Sequence, residues 1–493
     1  MSLKVASTLE LAGVEKFFCS HGNWYIIAYA AHLTGDHLII ANNAIHAIQC
    51  LLKRHSRMRT RIRIEDQRYL LDVLDYDIDS LPIDKLFSII DATDHTWQQI
   101  VENRCNQNPY SDDGSIDFPL FHFMLVLDRQ SSTTSDTNLF HLVVFANHCV
   151  ADGRSGYILI HEFLTLVTSP DLNQTSELIN TDILSFIHQL IPRPFGHLYP
   201  LASFTAKHLY IRELKKLRQL RIPIKSIPLT DGPPKQFDIP QYRTKFLFSS
   251  SSSDLYRHLR EQCHSHEVTM NGPLVSCLLL AIHRCFPLKN NNRLKPFAVG
   301  TPFDMRSRLS QSSPLTLSSV GFFIGMSDVK LGRSLSMQST QFWRLAQKCM
   351  RITQKQLNRN GVPLGMHAYA DIMRDNRTLN DVIRQFPDGR VGELALSNIG
   401  KYPFSCDYNQ GQIRLHGIHI ANSASVFRAS LVVFVTCAGD SQLDFSLTHE
   451  LESDENAKEF LDYYVRLVEA CADVERCTAE TTLEELLQSV ESK

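Results

Sequence analysis

Apolar residues in the first part of the chain follow helical spacing and then give way to alternation. In the segment NNAIHAIQCLLKRHSRMRTRIRI the apolar residues recur on one helical face, at Ile45, Ile48, Leu51 and Leu52. The basic residues that come next suit the carboxyl end of a helix, where cations interact favourably with the helix dipole. The stretch from Thr60 to Ile64 then alternates in polarity. We therefore predict a helix followed by a strand.

Two later runs are rich in residues that favour β-structure. They are FPLFHFMLVLDRQ, which starts at Phe118, and NLFHLVVFANH, which ends at His148. The polar stretch SSTTSDT lies between them, so the pattern predicts a hairpin. After Gly153 the segment YILIHEFLTLV is mostly apolar. We predict that it forms a helix that packs deep in the first half of the protein.

A change of composition divides the chain in two. Residues 214–241, LKKLRQLRIPIKSIPLTDGPPKQFDIPQ, are first basic and then rich in proline, without a periodic apolar face. Such a composition is typical of a linker. We interpret residues 1–213 as an amino-terminal lobe and residues 242–493 as a carboxyl-terminal lobe.

The second half repeats the mixture of helices and strands. VTMNGPLVSCLLLAIHRCF predicts a buried helix, while KPFAVGTPFDMRSRL and VGELALSNIGKYPF each predict a strand that ends in a polar tip or turn. RASLVVFVTCAGDSQLDFSLTHEL predicts two strands around a short turn, and a helix follows with Ser453 or Asp454 as its N-cap. Both halves thus combine long helices with strands of antiparallel character. The fold class is α/β or α+β, with two lobes.

Composition narrows the class of protein. A chain of 493 residues with 43% hydrophobic and 21% charged residues is typical of a globular protein with two or three domains. The net charge of −2 argues against nucleic acid as the main partner. No apolar run is long enough for a transmembrane segment, and MSLKVASTLELAGVEKFF lacks the pattern of a signal peptide, so we expect a cytoplasmic location. No two of the 12 cysteines are spaced C-x-x-C, so we expect reduced thiols and no metal site.

Candidate chemistry is concentrated in VVFANHCVADGRSG, where an apolar run ends at His148, four residues before Asp152 and Gly153. A histidine at the end of a strand is more often a hydrogen-bonded structural residue than a catalyst. The pattern H-x-x-x-D-G is more specific, since it arises by chance in roughly one such chain in twenty. The other Asp-Gly pairs, at 113–114, 231–232 and 388–389, have no histidine four positions before them. We therefore treat this loop as the candidate site.

The three residues of this pattern suit different tasks. A neutral imidazole accepts a proton from a hydroxyl or amine near neutral pH, which makes His148 the candidate general base. Asp152 lies close to the start of the next helix, where the helix dipole favours a carboxylate. It is therefore better placed to fix the loop than to carry a proton. Gly153 is expected to allow a backbone conformation that a side chain would block.

At this point a family resemblance emerges. NHCVADG resembles the H-H-x-x-x-D-G motif of the coenzyme A-dependent acyltransferase superfamily, which includes condensation domains, polyketide-associated acyltransferases and alcohol acetyltransferases. Other segments resemble the family in the same order along the chain, namely AIQCLLKRHSRMRTRI, VTMNGPLVSCLLLAI, TPFDMRSRL with VGFFIG, and LSNIGKYPF.

The resemblance implies two chloramphenicol-acetyltransferase-like lobes with an active-site tunnel between them. It further implies that His148 deprotonates the acceptor, which attacks a thioester directly, without an acyl-enzyme. Asp152 would be a structural residue paired with Arg306. Ser397 and Asn398 are either candidate donors to the oxyanion or part of a plain turn.

The motif departs from the family at its first histidine, which is Asn147 here. The departure argues mildly against a stand-alone amide-forming condensation domain, which remains an alternative. A second alternative is a catalytically inactive acyltransferase-fold binding module. A serine hydrolase is disfavoured because no G-x-S-x-G occurs, and Ser155 is better interpreted as part of a helical first turn.

The resemblance therefore predicts an O-acyltransferase of the alcohol acyltransferase type. Its co-substrate would be acyl-CoA or an acyl-carrier thioester, with no tightly bound cofactor. Its partners would be a small-molecule acyl donor, an alcohol or amine acceptor and, where the donor is carried, an acyl carrier protein.

Overall fold

The computed structural model describes residues 3–19, 25–66, 68–77, 81–93, 95–127, 139–169, 179–180, 184–217, 222, 243–287, 292–309, 315–358, 361–374, 390–423 and 428–491.

Helices in these ranges occur in both halves of the chain. They are α1 (Gly13–Phe18), α2 (His37–Arg54), α3 (Trp97–Cys105), α4 (Gly153–Val167), α5 (Ile187–Leu190), α6 (Tyr199–Leu217), α7 (Leu255–Ser265), α8 (Asn271–Cys285), α9 (Phe342–Leu357), α10 (Gly361–Arg374), α11 (Asp454–Ala472) and α12 (Leu483–Glu491). Short 3₁₀ helices occur at Ser56–Arg59, Ile83–Leu86, Gly196–Leu198 and Arg306–Arg308. None of the helices in the described part of the chain has the length and hydropathy that crossing a membrane requires.

The strands are likewise distributed along the chain. They are β1 (Val5–Glu10), β2 (Ile26–Gly35), β3 (Thr60–Glu65), β4 (Arg68–Leu74), β5 (Phe87–Asp91), β6 (Phe121–Leu127), β7 (Leu139–Asn147), β8 (Lys245–Ser250), β9 (Arg293–Leu294), β10 (Ala298–Asp304), β11 (Ile324–Lys330), β12 (Leu335–Ser336), β13 (Arg390–Lys401), β14 (Asp407–Tyr408), β15 (Ile413–Asn422), β16 (Arg428–Cys437) and β17 (Asp444–His449).

Two six-stranded sheets form the framework of the two lobes. The first has the order β14-β15-β2-β7-β6-β5, and the second has the order β11-β10-β13-β16-β17-β8. Helices α2 and α4 belong to the apolar core of the first sheet, and α8, α9 and α11 belong to the core of the second. Strand β15 comes from the second half of the sequence but pairs with β2 in the first sheet. The first sheet therefore contains strands from both halves of the sequence.

The predicted elements next to the candidate site are confirmed. The segment around Leu51 forms α2, and the two β-rich runs form the antiparallel pair β6 and β7. The apolar segment after Gly153 forms α4. Ser453 is the N-cap of the predicted carboxyl-terminal helix, since its side chain accepts a hydrogen bond from the Asn456 N–H.

Strand direction departs from the expectation of antiparallel strands. Strand β13 pairs in parallel with both β10 and β16, and β5 pairs in parallel with β6. The chain passes from β10 to β13 through α9 and α10, and a helical crossover of this kind returns a strand in the same direction. Apolar periodicity does not encode this direction, so the sheets are mixed where the sequence indicated antiparallel pairing.

The beginning of the expected linker is helical. Residues 214–217 complete α6, because leucine and lysine favour helices and the first proline follows only at Pro223. Residues 218–221 and 223–241 lie outside the described residues. Ile222 is buried in the core of the second lobe.

Candidate active site

The candidate loop begins where β7 leaves the centre of the first sheet. Asn147 is the last residue of β7, and the His148 N–H donates to the Tyr25 carbonyl at 2.6 Å. The Val150 N–H turns back to the Asn147 carbonyl at 3.0 Å, and the Asn147 Oδ1 accepts from the Cys149 N–H at 3.1 Å. These bonds hold the loop in a tight turn directly after the strand.

His148 is fixed in one tautomer by its own loop. Its Nδ1 lies 2.6 Å from the Ala151 carbonyl oxygen, which can only accept a hydrogen bond, so Nδ1 carries the proton. The neutral ring therefore has its lone pair on Nε2. Burial lowers the pKa of His148 from its usual value, while the bond to Ala151 and the charge of Asp152 oppose that shift in part. The result is a neutral imidazole at neutral pH, with an Nε2 that can accept a proton, as a general base requires.

Aromatic rings from both halves of the sequence fix the plane of this imidazole. The Phe18 ring stacks on the His148 ring with a centroid distance of 4.9 Å. The Phe322 ring meets it edge-on at 5.4 Å and contacts Phe18 at 5.0 Å. Phe18 ends α1, whereas Phe322 lies between β10 and β11 of the second lobe. The candidate base therefore lies where the two lobes meet.

Asp152 and Arg306 form the buried ion pair that the resemblance implies. Arg306 Nη1 lies 2.9 Å from Asp152 Oδ2, and Nη2 lies 3.0 Å from Oδ1, a two-point contact between fully buried side chains. The remaining Arg306 donors reach the carbonyl of Ser319 and the carboxylate of Asp304. The guanidinium also lies over the Phe323 ring at 4.9 Å. The pair thus links the start of α4 to the end of β10.

Hydrogen bonds occupy both oxygens of the Asp152 carboxylate, so it is not available for proton transfer. Besides Arg306, it accepts hydrogen bonds from the N–H and hydroxyl of Ser155 and from the Phe323 N–H at 2.8 to 2.9 Å. Burial raises the pKa of Asp152, but Arg306 and these donors lower it by more, so the net pKa lies below the usual value. Asp152 therefore stays ionised and fixes the loop. Its role in the geometry is structural.

Ser155 connects this network to the second lobe, which sequence reasoning did not anticipate. Its hydroxyl lies 2.8 Å from the Gly321 carbonyl, 3.0 Å from the Gly321 N–H and 3.1 Å from Arg306 Nη2. Tyr29 adds a further bond, from its hydroxyl to the Asp152 carbonyl at 2.7 Å. The only available signal for Ser155 was its spacing of three residues after an N-cap aspartate.

Gly153 contributes to packing and not to the backbone conformation that was expected. Its φ is not in the left-handed region that favours glycine, so the expectation of a special backbone conformation was wrong. A Cβ at this position would instead lie 2.4 Å from the Cδ1 of Ile399 on β13. The glycine therefore lets the Ile399 side chain pack directly against the start of α4, a contact that the sequence does not reveal.

Ser397 and Asn398 lie on β13, directly before Ile399 in sequence. They are inside the strand, so the expectation that they form a plain turn was wrong. The strand continues through Ser397, which pairs with Phe434 of β16, and its register shifts next between Asn398 and Gly400. The Asn398 Oδ1 accepts from the Gly400 N–H at 3.1 Å. The contact between Ile399 and Gly153 places this part of β13 against the candidate loop.

Two further features bear on chemistry. The side-chain nitrogen Nδ2 of Asn147 is buried and has no hydrogen-bond partner within the described ranges. Across the same ranges, no group of three or more histidine, cysteine, aspartate or glutamate side chains is arranged to hold a metal ion. The site is therefore built from a neutral histidine, an ion pair and apolar rings.

Comparison with solved structures supports the two-lobed fold along the whole chain. A trichothecene 15-O-acetyltransferase from Fusarium sporotrichioides superposes with a TM-score of 0.70 at 10% identity, over 99% of this chain and 98% of that chain. Polyketide synthase associated protein 5 from Mycobacterium tuberculosis gives 0.63 at 14% identity, over 96% and 100%. The first condensation domain of the CDA synthetase gives 0.60 at 12% identity, over 98% and 99%.

Sequence comparison assigns the family. No curated protein sequence matches the chain. A family model described as alcohol acetyltransferase matches residues 108–468, well over half of the chain, and this range contains the His148 loop. The chain therefore belongs to the alcohol acetyltransferase family.

Proposed function

We propose that the protein is an O-acyltransferase that moves an acyl group from a thioester to a hydroxyl of a small-molecule acceptor, with His148 as general base. The observation that carries this proposal is the bond from Nδ1 of His148 to the Ala151 carbonyl at 2.6 Å. It leaves an unprotonated Nε2 on a ring held between Phe18 and Phe322.

The proposed reaction balances without a covalent acyl-enzyme. His148 Nε2 takes the hydroxyl proton of the acceptor as the oxygen attacks the thioester carbonyl. The tetrahedral intermediate then collapses, the carbon–sulfur bond breaks, and the departing thiolate takes the proton back from His148. Ser397 and Asn398 are the candidate donors to the oxyanion, because β13 packs against the loop through Ile399.

Acyl-CoA is the proposed donor, with an acyl carrier protein as the alternative, and the two substrates are proposed to reach His148 from opposite faces of the lobe junction. We propose a cytoplasmic location, since all 12 cysteines are free thiols. A tightly bound cofactor is not part of this mechanism. The division into lobes at residues 214–241 is also kept as a proposal, with β14 and β15 returning from the second half of the chain to the first sheet.

The test is release of free thiol from acetyl-CoA in the presence of a mixture of primary alcohols. Acceptor-dependent thiol release and formation of the ester, detected by mass spectrometry, support the enzyme. Binding of acetyl-CoA without release in any mixture would support a non-catalytic binding module instead. An ester formed at an unchanged rate by a folded His148→Ala protein would reject the mechanism.

A further inference from the structure

A second set of buried polar atoms lies on and beside α1, the helix whose last residue, Phe18, stacks on the His148 ring. Glu15 precedes Phe18 by three residues on α1, which separates them by about 5 Å along the helix axis. Phe18 is the ring that stacks on His148. The Cys19 thiol donates to the Glu15 carbonyl at 3.3 Å and interacts with the thiol of Cys149, the residue after His148.

Glu15 and Arg57 carry hydrogen-bonding atoms that the described residues leave unused. Glu15 is 1% exposed, and its Oε1 accepts from the Ile187 N–H at 3.2 Å, but its Oε2 has no partner among the described residues. Arg57 is 4% exposed, and its Nη2 donates to the Leu184 carbonyl, whereas Nε and Nη1 have no partner in the same ranges. Both side chains thus carry buried polar atoms whose hydrogen-bonding capacity the described residues leave unused.

We call Gly13, Glu15, Arg57, Phe186 and Ile187 the Glu15 chamber. The Arg57 guanidinium lies over the Phe186 ring at 5.1 Å, which orients its plane. A Cβ on Gly13 would lie 3.0 Å from His188 Nδ1 and 3.3 Å from Glu15 Oε2, so the glycine leaves room for both side chains on that side. Burial raises the pKa of Glu15 to about 7, although backbone N–H groups and Arg57 act against that rise. The chamber is therefore poorly solvated.

Unused donors and acceptors of this kind are costly. Buried polar groups are almost always hydrogen-bonded in native proteins, and an unsatisfied one costs about 1–3 kcal/mol. Arg57 is close enough to Glu15 to oppose the rise that burial causes in the pKa of that carboxyl, so a single group between them that both donates and accepts would satisfy the unused atoms. A hydroxyl does this without adding charge, whereas a second carboxylate or ammonium would leave a net charge in a buried space.

We propose that the Glu15 chamber binds a second hydroxyl of the acceptor, which donates to Glu15 Oε2 and accepts from Arg57. This inference rests on the proposed function, because the first hydroxyl reacts at His148. It assigns the acceptor to molecules with at least two hydroxyl groups separated by the distance from His148 to the chamber. A simple monofunctional alcohol would leave the chamber polar atoms unsatisfied and would be a poor substrate.

The test compares straight-chain α,ω-diols from 1,4-butanediol to 1,10-decanediol with the 1-alkanols of equal length, using acetyl-CoA and wild-type protein. Two equivalent hydroxyls give a diol a statistical advantage of twofold in kcat/KM. We expect one diol length to exceed its alkanol by about tenfold or more, because a site built for a hydroxyl discriminates against its absence. A ratio at or below twofold at every length overturns the inference.

Two variants assign that preference to the chamber. Glu15→Gln keeps an acceptor for the Ile187 N–H but presents a donor to the chamber, and Arg57→Met removes the guanidinium. Both should lower kcat/KM for the preferred diol about tenfold more than for the matched alkanol. The control is Glu10→Gln, because Glu10 is an exposed carboxylate close in sequence, and it should leave the diol-to-alkanol ratio unchanged.

The outcomes separate this inference from the proposed function. Equal losses on diol and alkanol in both variants would mean that the pair only supports the fold, which overturns the inference. Turnover of alkanols without any diol preference rejects the chamber and leaves the acyltransferase intact. No ester from any alcohol or diol rejects both.

Discussion

Two of the buried polar junctions between the lobes stabilise their buried groups in opposite ways. At one junction Asp152 and Arg306 keep full charges with side chains that are completely buried. At the other, His32, His141 and His419 from three neighbouring strands of the first sheet meet the backbone of β8 in the second. The first junction is ionic and the second is neutral.

The neutral junction is a one-way chain of hydrogen bonds. His419 Nε2 lies 3.2 Å from the Ser249 carbonyl, which can only accept, so this nitrogen carries a proton. His419 Nδ1 then accepts from His32 Nε2 at 2.6 Å, and His32 Nδ1 accepts from His141 Nδ1 at 2.8 Å. The central ring is neutral, because burial lowers the pKa of His32 well below its usual value. The Trp97 ring covers them with centroid distances of 4.9 to 5.6 Å.

The comparison shows what decides whether a buried group keeps its charge. Arg306 keeps its charge because carboxylate, hydroxyl and carbonyl oxygens surround its guanidinium. His32 has only other imidazoles as ring partners, so burial lowers its pKa well below the usual value and the neighbouring histidines lower it further. The charged junction should therefore lose stability when one residue of the ion pair is removed. The neutral junction should lose stability when acid protonates the histidines.

The largest effect is expected from Arg306→Ala. The change leaves the Asp152 carboxylate buried without its counter-charge, so the free energy of unfolding should fall by about 3–5 kcal/mol. Because Asp152 fixes the His148 loop, acyl transfer should also be lost. Urea denaturation followed by tyrosine fluorescence measures the first effect, and thiol release measures the second.

Arg308→Ala is the matched control, since Arg308 lies in the same 3₁₀ turn but is exposed, and it should change stability by less than about 0.5 kcal/mol. The cycle of Asp152→Ala, Arg306→Ala and the double variant should be strongly non-additive. A coupling energy near zero would show that the ionic junction is not the energetic unit that its geometry indicates.

His148→Ala separates function from the junction that supports it. Loss of a general base should lower the rate of acyl transfer about 10²–10⁴-fold. The ion pair of Asp152 and Arg306 does not involve the imidazole, so the variant should remain folded and should still bind the thioester donor. Thiol release and calorimetric binding of acetyl-CoA measure these two properties.

The exposed His264 provides the control, and His264→Ala should behave as wild type. A His148→Ala protein with normal turnover would remove His148 from the mechanism.

Acid should break the neutral junction before the ionic one. The pKa of His32 in the folded protein lies below its unfolded value of about 6.5, so the unfolded chain binds more protons in mild acid and stability falls as the pH drops below about 6.5. The pKa of Asp152 is also lowered, but its contribution persists until the pH falls below about 3.8. The two junctions should therefore lose stability in separate pH ranges.

His32→Gln tests this order, because glutamine hydrogen-bonds but does not titrate. Between pH 6.5 and 5 the free energy of unfolding of the variant should fall less steeply with acid than that of wild type. The difference in slope is at most about 1.4 kcal/mol per pH unit, which corresponds to one proton. Other buried histidines, including His148 and His449, add the same background to both proteins. Identical slopes would show that the histidine chain does not govern acid stability.

The two junctions also differ in how far the sequence predicts them. The loop of His148 and Asp152 depends on residues close in sequence, since a strand end, a turn and an N-cap follow one another within six residues. The spacing of the motif is therefore enough to predict it. The partner Arg306 was found only through the family resemblance, because 154 residues separate it from Asp152. The ion pair was thus predictable from the resemblance, and its saturation by Ser155 and the Phe323 N–H was not.

No sequence pattern predicts the histidine chain. His32, His141 and His419 are more than 100 residues apart and meet because β2 lies between β15 and β7. His32 pairs directly with His141 in the register of the two strands. Strand order and register are tertiary information that apolar periodicity does not contain. The Glu15 chamber was missed for the same reason, since Glu15 on α1 and Arg57 come together only in the folded chain.

The smallest effect is expected from Asn147, which stands where the family motif has its first histidine. Its Oδ1 accepts one bond from the Cys149 N–H, worth about 0.5–1.5 kcal/mol, while its buried Nδ2 has no partner in the described ranges. Asn147→Ala removes the bond but also removes the unsatisfied donor, so the two effects on stability offset each other in part. The rate should fall by less than about tenfold, through a looser His148 loop, because no proton passes through the amide. Thiol release at saturating acetyl-CoA, with Asn147→His as the variant that restores the family motif, measures the difference. A loss as large as that of His148→Ala would move the general base, or an indispensable part of its support, to the first position of the motif.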